Sequence, residues 1–275
     1  MKAMQLMTRS LWLGALASAA VAAEAPATQA NSNLMPIMPS QYEGRPPVTP
    51  STISAGKAIY DASCIMCHGA HGKGDGAVAF FLARQFAPRP RDFTSGTFKF
   101  RSTESGELPT DEDLFRTVTR GIPGWMPRFG GLSTAQRWEA VYYVKTFFAG
   151  FEGAKPGLIE VKGGPVPMTA TSVHHGYEVY QQMRCWECHG GGGEGDGPKA
   201  PTLRDDWGFA IPPANLTRPS SFKNGHQPDE IYRMIVSGLN GTPMPSYGDL
   251  FQGHEQDAWD LVNFILSLDA EGSRE

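Results

Sequence analysis

Apolar side chains recur at helical spacing in two stretches, and each stretch closes one half of the chain. The first stretch follows a capping-box pattern, in which Ser133 precedes Gln136 by three residues. Its apolar positions have the spacing of one helix face, and the same spacing returns near the C-terminus. The two sets are Trp138, Val141, Tyr142 and Phe148, and then Trp259, Val262, Ile265 and Leu266. The pattern predicts an amphipathic helix at the end of each half.

Polar residues and glycines mark the ends of further predicted helices. Ser54 is a candidate cap for a short helix that runs towards Cys64. Another helix begins near Asp111 and ends at Gly121, and its counterpart begins at residues 228–230. Acidic residues in the first turn and a glycine after the last turn are typical helix signals. The two halves therefore carry a paired set of predicted helices.

The halves match one another at a constant offset. Three pairs of residues are each 121 positions apart, namely Cys64 and Cys185, Asp75 and Asp196, and Trp138 and Trp259. This internal duplication predicts domain 1 at residues 51–150 and domain 2 at residues 171–270. Residues 151–170 are rich in glycine and proline and are the predicted linker, and residues 271–275 form a short tail.

The N-terminal segment has the pattern of a secretory signal. Lys2 and Arg9 precede a run of apolar and small residues that ends at Ala23, and Ala20-Val21-Ala22 fits the cleavage rule. The run is shorter than the roughly 20 residues of a spanning helix, and no other stretch approaches one. We predict that residues 1–23 are a cleaved signal peptide and that residues 24–50 form an extended arm.

A cleaved signal predicts export, and the periplasm is the location that we expect. Loss of Lys2 and Arg9 changes the formal net charge from −4 to −6. A moderately acidic surface argues against nucleic acid as a partner and is compatible with basic protein partners.

One five-residue arrangement occurs twice, as Cys64-Ile65-Met66-Cys67-His68 and as Cys185-Trp186-Glu187-Cys188-His189. Two cysteines separated by two residues also suit a thioredoxin-like redox pair, half of a zinc site or a disulfide. The histidine that follows at once favours covalent haem, because each thiol can form a thioether with one haem vinyl group and the imidazole then lies under the iron. All four cysteines of the chain belong to these motifs. The sequence therefore predicts two covalently bound haem c groups.

A haem iron held by His68 or His189 still needs a sixth ligand, and that ligand decides the function. Methionine blocks exogenous ligands, whereas an open position permits catalysis or gas binding. Met126 is the only methionine between Met66 and Met168, and Met66 lies inside the attachment motif. Met126 is therefore the predicted second ligand in domain 1.

Domain 2 offers two methionines. Met234 has the helical setting of a core residue, whereas Met244 lies in a Met-Pro loop just after Gly238, as Met126 lies just after Gly121. Met244 is the predicted ligand, and His226 and His254 are weaker alternatives. Three basic residues are candidate partners of haem propionates, with a solvated loop as the alternative: Lys99, Arg101 and Lys223.

With its attachment motif, Met-Pro loop and terminal aromatic helix, each half resembles a class I cytochrome c domain. The resemblance covers about residues 51–150 and 171–270. It implies an all-α fold of two tandem class I cytochrome c domains, each a few short helices wrapped around one covalently bound haem. It also implies that a proline carbonyl accepts the proton of the proximal imidazole, for which Pro90 and Pro213 are the candidates.

Similar tandem proteins serve in bacterial respiratory chains as dihaem carriers or as cytochrome subunits beside larger oxidoreductases. The resemblance therefore implies electron transfer between redox protein partners, with no catalysis by this chain itself. The alternative is a dihaem peroxidase-like enzyme, which needs one haem with an open position and acid-base groups nearby. A methionine in the same loop of both halves favours the carrier.

Overall fold

Short α-helices build the molecule, and four in each half recur in the order that the duplication predicts. The computed structural model describes residues 44–81 and 89–269, and all of these belong to one compact unit. Within these ranges there is no β-strand, which confirms the all-α fold. Domain 1 contains α1 (Pro50–Ser63), α2 (Ile65–His68), α3 (Ala77–Phe81), α4 (Asp111–Arg120) and α5 (Thr134–Lys145). Domain 2 contains α6 (Ala170–Gln182), α7 (Trp186–His189), α8 (Pro228–Ser237), α9 (Gly248–Phe251) and α10 (Glu255–Ser267).

The predicted signal peptide, most of the predicted arm and the C-terminal tail lie outside the described residues. In the ranges that are described, no helix combines the length and the apolar character needed to cross a membrane.

The helix ends follow the polar signals of the sequence, with one correction. Ser133 and Gln136 form the predicted capping box of α5, in which each side chain accepts a backbone N–H. At the start of α1 the cap is Thr49 and not Ser54, because Pro50 is pre-set for the first helical position and the Thr49 hydroxyl accepts from the N–H of Thr52. The helix therefore begins earlier than predicted.

Stacked aromatic side chains fill both cores. In domain 1, Trp138 of α5 stacks on Phe115 of α4 with ring centroids 4.3 Å apart. In domain 2, Trp259 of α10 stacks on Tyr232 of α8 at 4.5 Å. Both tryptophans are almost fully buried. Full burial of a large apolar side chain contributes roughly 1.5–3 kcal/mol to stability, so these faces of α5 and α10 hold each domain together.

The first and last long helices of each domain cross at a glycine. Gly56 of α1 lies so close to α5 that a β-carbon would be 1.9 Å from the carbonyl oxygen of Glu139. Gly176 of α6 has the same relation to Asp260 of α10, again at 1.9 Å. A side chain at either position would separate the helices. The glycine thus fixes the direction in which the chain enters the attachment motif.

The predicted linker, residues 151–170, is bound to both domains before α6 begins at Ala170. The N–H of Ile159 donates to the carbonyl oxygen of Ser102 in domain 1 at 2.9 Å. Further along, Nε1 of Trp259 in domain 2 donates to the carbonyl oxygen of Lys162 at 2.7 Å. The linker is therefore not a free spacer, and it helps to hold the domains in place.

Arginines of domain 1 make the principal polar contacts with domain 2. Arg101 is 1% exposed, and its guanidinium donates to the carbonyl oxygens of Ser237 at 2.6 Å and Gly238 at 3.4 Å. From α4, Arg120 forms an ion pair with Glu230 of α8. The sequence made Arg101 a candidate partner of a propionate. The structure corrects this assignment, because the guanidinium binds the end of α8 instead.

Candidate functional site

Each attachment motif forms a one-turn helix directly after the first long helix of its domain. These are α2 and α7. None of the four cysteines is joined in a disulfide. Burial raises the pKa of Cys64 and of Cys185 to about 11, because an apolar environment disfavours the thiolate.

The motif histidines have a defined tautomer. Nδ1 of His68 lies 3.1 Å from the carbonyl oxygen of Arg91, and Nδ1 of His189 lies 3.0 Å from that of Ala214. A carbonyl oxygen can only accept, so each Nδ1 carries the proton and each Nε2 presents a lone pair suited to iron. Burial lowers the pKa of both imidazoles, which favours the neutral form that ligates a metal.

The accepting carbonyls correct the assignment to Pro90 and Pro213, since each belongs to the next residue. The reason is the turn that follows. The carboxylate of Asp92 accepts from the N–H of Thr94 at 2.8 Å, and the amide oxygen of Asn215 makes the same contact with Thr217 at 2.9 Å. This side-chain turn fixes the peptide group that precedes Asp92 or Asn215. The carbonyl oxygen of that peptide group, which belongs to Arg91 or Ala214, is therefore the one that accepts from the imidazole.

Two tyrosines that sequence reasoning missed hold the chain after each histidine. The hydroxyl of Tyr60 donates to the carbonyl oxygen of Gly69 at 2.7 Å, and that of Tyr180 donates to Gly190 at 2.6 Å. Both tyrosines are fully buried. Their repetition four or five residues before the first cysteine of each motif was the available signal.

The first motif opens onto a largely apolar cavity of about 190 Å³ in domain 1. The wall of this cavity includes Cys64, Cys67 and His68, together with the predicted ligand Met126. Most of the remaining wall is aliphatic and aromatic, for example Leu114, Val118, Phe129, Val141 and Val144. The structure therefore brings the four predicted haem-binding residues of domain 1 to one apolar space.

The loop that carries Met126 is closed by its own backbone. The N–H of Ile122 donates to the carbonyl oxygen of Met126 at 2.9 Å, and the N–H of Met126 donates to the carbonyl oxygen of Ile122 at 3.0 Å. Gly121 precedes the loop with φ of +68° and packs so tightly on it that a β-carbon would be 2.4 Å from the Met126 carbonyl oxygen. The end of α4 thus dictates where the methionine is presented.

Domain 2 builds the corresponding loop in the same way. The N–H of Leu239, just after α8, donates to the carbonyl oxygen of Met244 at 3.1 Å. Tyr247 follows in the same loop, and burial together with the nearby thiols Cys185 and Cys188 raises its pKa to about 12. The loop of Met244 therefore lies beside the second attachment motif. Met234 packs against the domain 2 core instead.

Basic side chains also line the cavity in domain 1. They are Arg89, Arg91 and Lys99 from domain 1 and Lys223 from domain 2. Burial, together with the positive charges of Lys223 and Arg91, lowers the pKa of Lys99 to about 7. Such a cluster of half-buried cations at an apolar cavity is suited to an anionic group, because opposite charge offsets the cost of their desolvation.

These residues fit a haem c. Paired thiols, an imidazole with a free Nε2, a methionine and apolar walls are the groups that such a cofactor requires, and the cations match its carboxylates. A bound haem supplies an iron that alternates between the ferrous and ferric states. The protein's own residues would hold that group covalently, orient the imidazole and limit access of water.

Comparison with known families matches both domains. The model of the family described as cytochrome C oxidase, cbb3-type, subunit III matches residues 51–144 and 171–265. Each matched region contains one attachment motif and one Met-Pro loop. The chain belongs to this family of c-type cytochromes. Membership implies covalently bound haem c and electron transfer, and the two matched regions make the protein a dihaem cytochrome of two tandem domains.

The cytochrome is also similar to a chain of a solved complex, the Kuenenia stuttgartiensis reducing HAO-like protein complex Kustc0457/Kustc0458. The two chains are 38% identical with a TM-score of 0.73, and the match covers 81% of the cytochrome and 97% of the other chain. No match was found among curated proteins.

Proposed function

We propose that this cytochrome transfers electrons through two six-coordinate haems. Cys64 and Cys67 form the thioethers of the domain 1 haem, and His68 and Met126 ligate its iron. Cys185, Cys188, His189 and Met244 have the same roles in domain 2. Methionine raises the potential of haem iron and blocks exogenous ligands, so each iron exchanges electrons without binding a substrate. The supporting observation is that Met126 and the first attachment motif line one and the same apolar cavity.

We further propose that the cytochrome passes electrons between respiratory redox partners, as a soluble carrier or as the electron-transfer subunit of a larger complex. Support for the subunit role comes from the similarity, along most of both chains, to a chain of a complex of two proteins. The periplasm is the proposed location, supported by the signal pattern of residues 1–23 and by haem c, which is attached outside the cytoplasm.

A spectroelectrochemical titration of the purified protein tests the ligation. We expect two one-electron waves and, in the ferric state, the weak long-wavelength band of Met-ligated haem with the intensity of two haems. A band with the intensity of one haem would mean that the other iron lacks a methionine ligand, and peroxide turnover by that protein would then support the peroxidase-like alternative.

A further inference from the structure

Two lysines occupy equivalent positions in the duplicated halves. Lys99 follows the buried Phe98, and Lys223 follows the buried Phe222. Each pair comes after the turn that holds its proximal histidine and before the next long helix of its domain. In two independent domains, the lysines would be expected to serve two separate haem sites.

The structure instead brings both lysines to the cavity of domain 1. Lys99 and Lys223 both line the cavity that contains the first attachment motif. They are close enough that the charge of Lys223 lowers the pKa of Lys99. Lys223 belongs to domain 2 but therefore lines the site of domain 1, which the duplication alone would not predict.

Contacts on both sides of Lys223 hold it there. Its Nζ lies 5.5 Å from the ring centroid of Trp125, the residue that precedes the predicted ligand Met126. The neighbouring Asn224 is buried, and its amide oxygen accepts from the guanidinium of Arg116 in α4 at 3.4 Å. The segment of domain 2 that carries Lys223 is thus seated on domain 1.

We infer that Lys223 of domain 2 is part of the domain 1 haem site, and that docking of domain 2 raises the reduction potential of the domain 1 haem. This inference rests on the proposed function. Reduction adds one electron to a ferric iron, so a fixed positive charge nearby favours the ferrous product. A lysine held in an apolar cavity is screened far less than one in water, which makes a single side chain sufficient for a measurable effect.

Substitution of Lys223 by methionine tests the inference, because methionine keeps much of the length and removes the charge. We expect the reduction potential of the domain 1 haem to fall by about 59 mV. For a one-electron couple, this corresponds to a tenfold change in the equilibrium constant for reduction. The domain 2 wave should move much less. Lys223→Arg should keep the domain 1 potential near that of the native protein. Lys155→Met, which removes an exposed linker lysine, is the matched control and should shift neither wave.

A Met126→His protein identifies the domain 1 wave, since an exchange of methionine for histidine lowers the potential of the haem concerned. If no single wave responds to that change, the proposed ligation fails. If a wave responds but Lys223→Met leaves it unchanged, or shifts both waves equally, the inference about Lys223 is overturned while the ligation stands.

Discussion

At the scale of single residues, domain 2 holds a histidine against a buried carboxylate between its first and last helices, whereas domain 1 has an alanine at the position of that histidine. In domain 2, Nδ1 of His175 lies 2.9 Å from the buried carboxylate of Asp260. The imidazole also faces Asp257 of α10 and Glu178 of its own helix. The hydrogen bond to Asp260 and these negative charges raise the pKa of His175. In the α1 alignment set by Gly56 and Gly176, the equivalent residue of domain 1 is Ala55.

Domain 2 should therefore carry a pH-dependent part of its stability. A pKa raised on folding stabilises the protein while the group is protonated, fully below the unfolded pKa of about 6.5, and this stabilisation is lost as the pH rises through the folded-state value. We expect the free energy of unfolding of the native protein to exceed that of His175→Gln at acidic pH. The difference between the two proteins should decrease towards alkaline pH. The effect should be modest, since the imidazole is 42% exposed. A gap that stays constant with pH would contradict the assignment.

The residues to which we assign the haem chemistry could be predicted from the sequence because they occur in short motifs at fixed spacing. Met126 was predicted by elimination, and Met244 was predicted because it lies in the corresponding loop of the second half. Arg101 was misassigned, because a basic residue near a haem motif gives no sign in the sequence that its guanidinium will bind the end of a helix from the other domain. The acceptor carbonyls shifted by one residue for a similarly local reason, the turn at Asp92 and Asn215.

At the scale of elements, the crossing of α1 with α5 decides how the motif of domain 1 is presented. Gly56→Ala places a β-carbon 1.9 Å from the carbonyl oxygen of Glu139, so the helices must separate. Overpacking of this kind costs about 1–3 kcal/mol. Chemical denaturation should show that loss, whereas Gly131→Ala, where nothing lies within 4 Å of the added carbon, should change stability by less than about 0.5 kcal/mol. Equal effects of the two substitutions would contradict a specific role of the crossing.

The helices could be predicted from the periodicity of apolar residues. Their ends could be predicted from capping residues and glycines, because these signals act over only a few residues. The close approach at Gly56 and Gly176 was not predicted, since it depends on a partner helix far along the chain. The start of α1 was misplaced because Thr49 and Pro50 together make a stronger start signal than Ser54 alone.

At the scale of the whole molecule, the contact between the domains is the feature that the sequence did not reveal. Arg101 reaches from domain 1 to the carbonyl oxygens of Ser237 and Gly238, where it is almost completely buried. Hydrogen bonds from a charged donor contribute about 1.5–3 kcal/mol each, and removal of the guanidinium takes this donor from the carbonyl oxygen of Ser237.

Arg101→Met should therefore uncouple the domains. We expect thermal unfolding to change from one transition to two, with an accompanying loss of stability. Arg204→Met is the matched control, because Arg204 is exposed and its guanidinium donates to the carbonyl oxygens of Pro201 and Leu203 in its own loop. Its unfolding should match that of the native protein. One unchanged transition in Arg101→Met would show that the domains are held by other contacts.

If one histidine and one methionine hold each iron, neither iron has a free position, and carbon monoxide binding to the reduced protein reports this. The native protein and Met234→Ala, which changes only a core methionine, should bind none. Met126→Ala and Met244→Ala should each bind one equivalent, because each opens one iron. Carbon monoxide binding by the native protein, or no binding by Met126→Ala or Met244→Ala, would contradict the proposed methionine ligation.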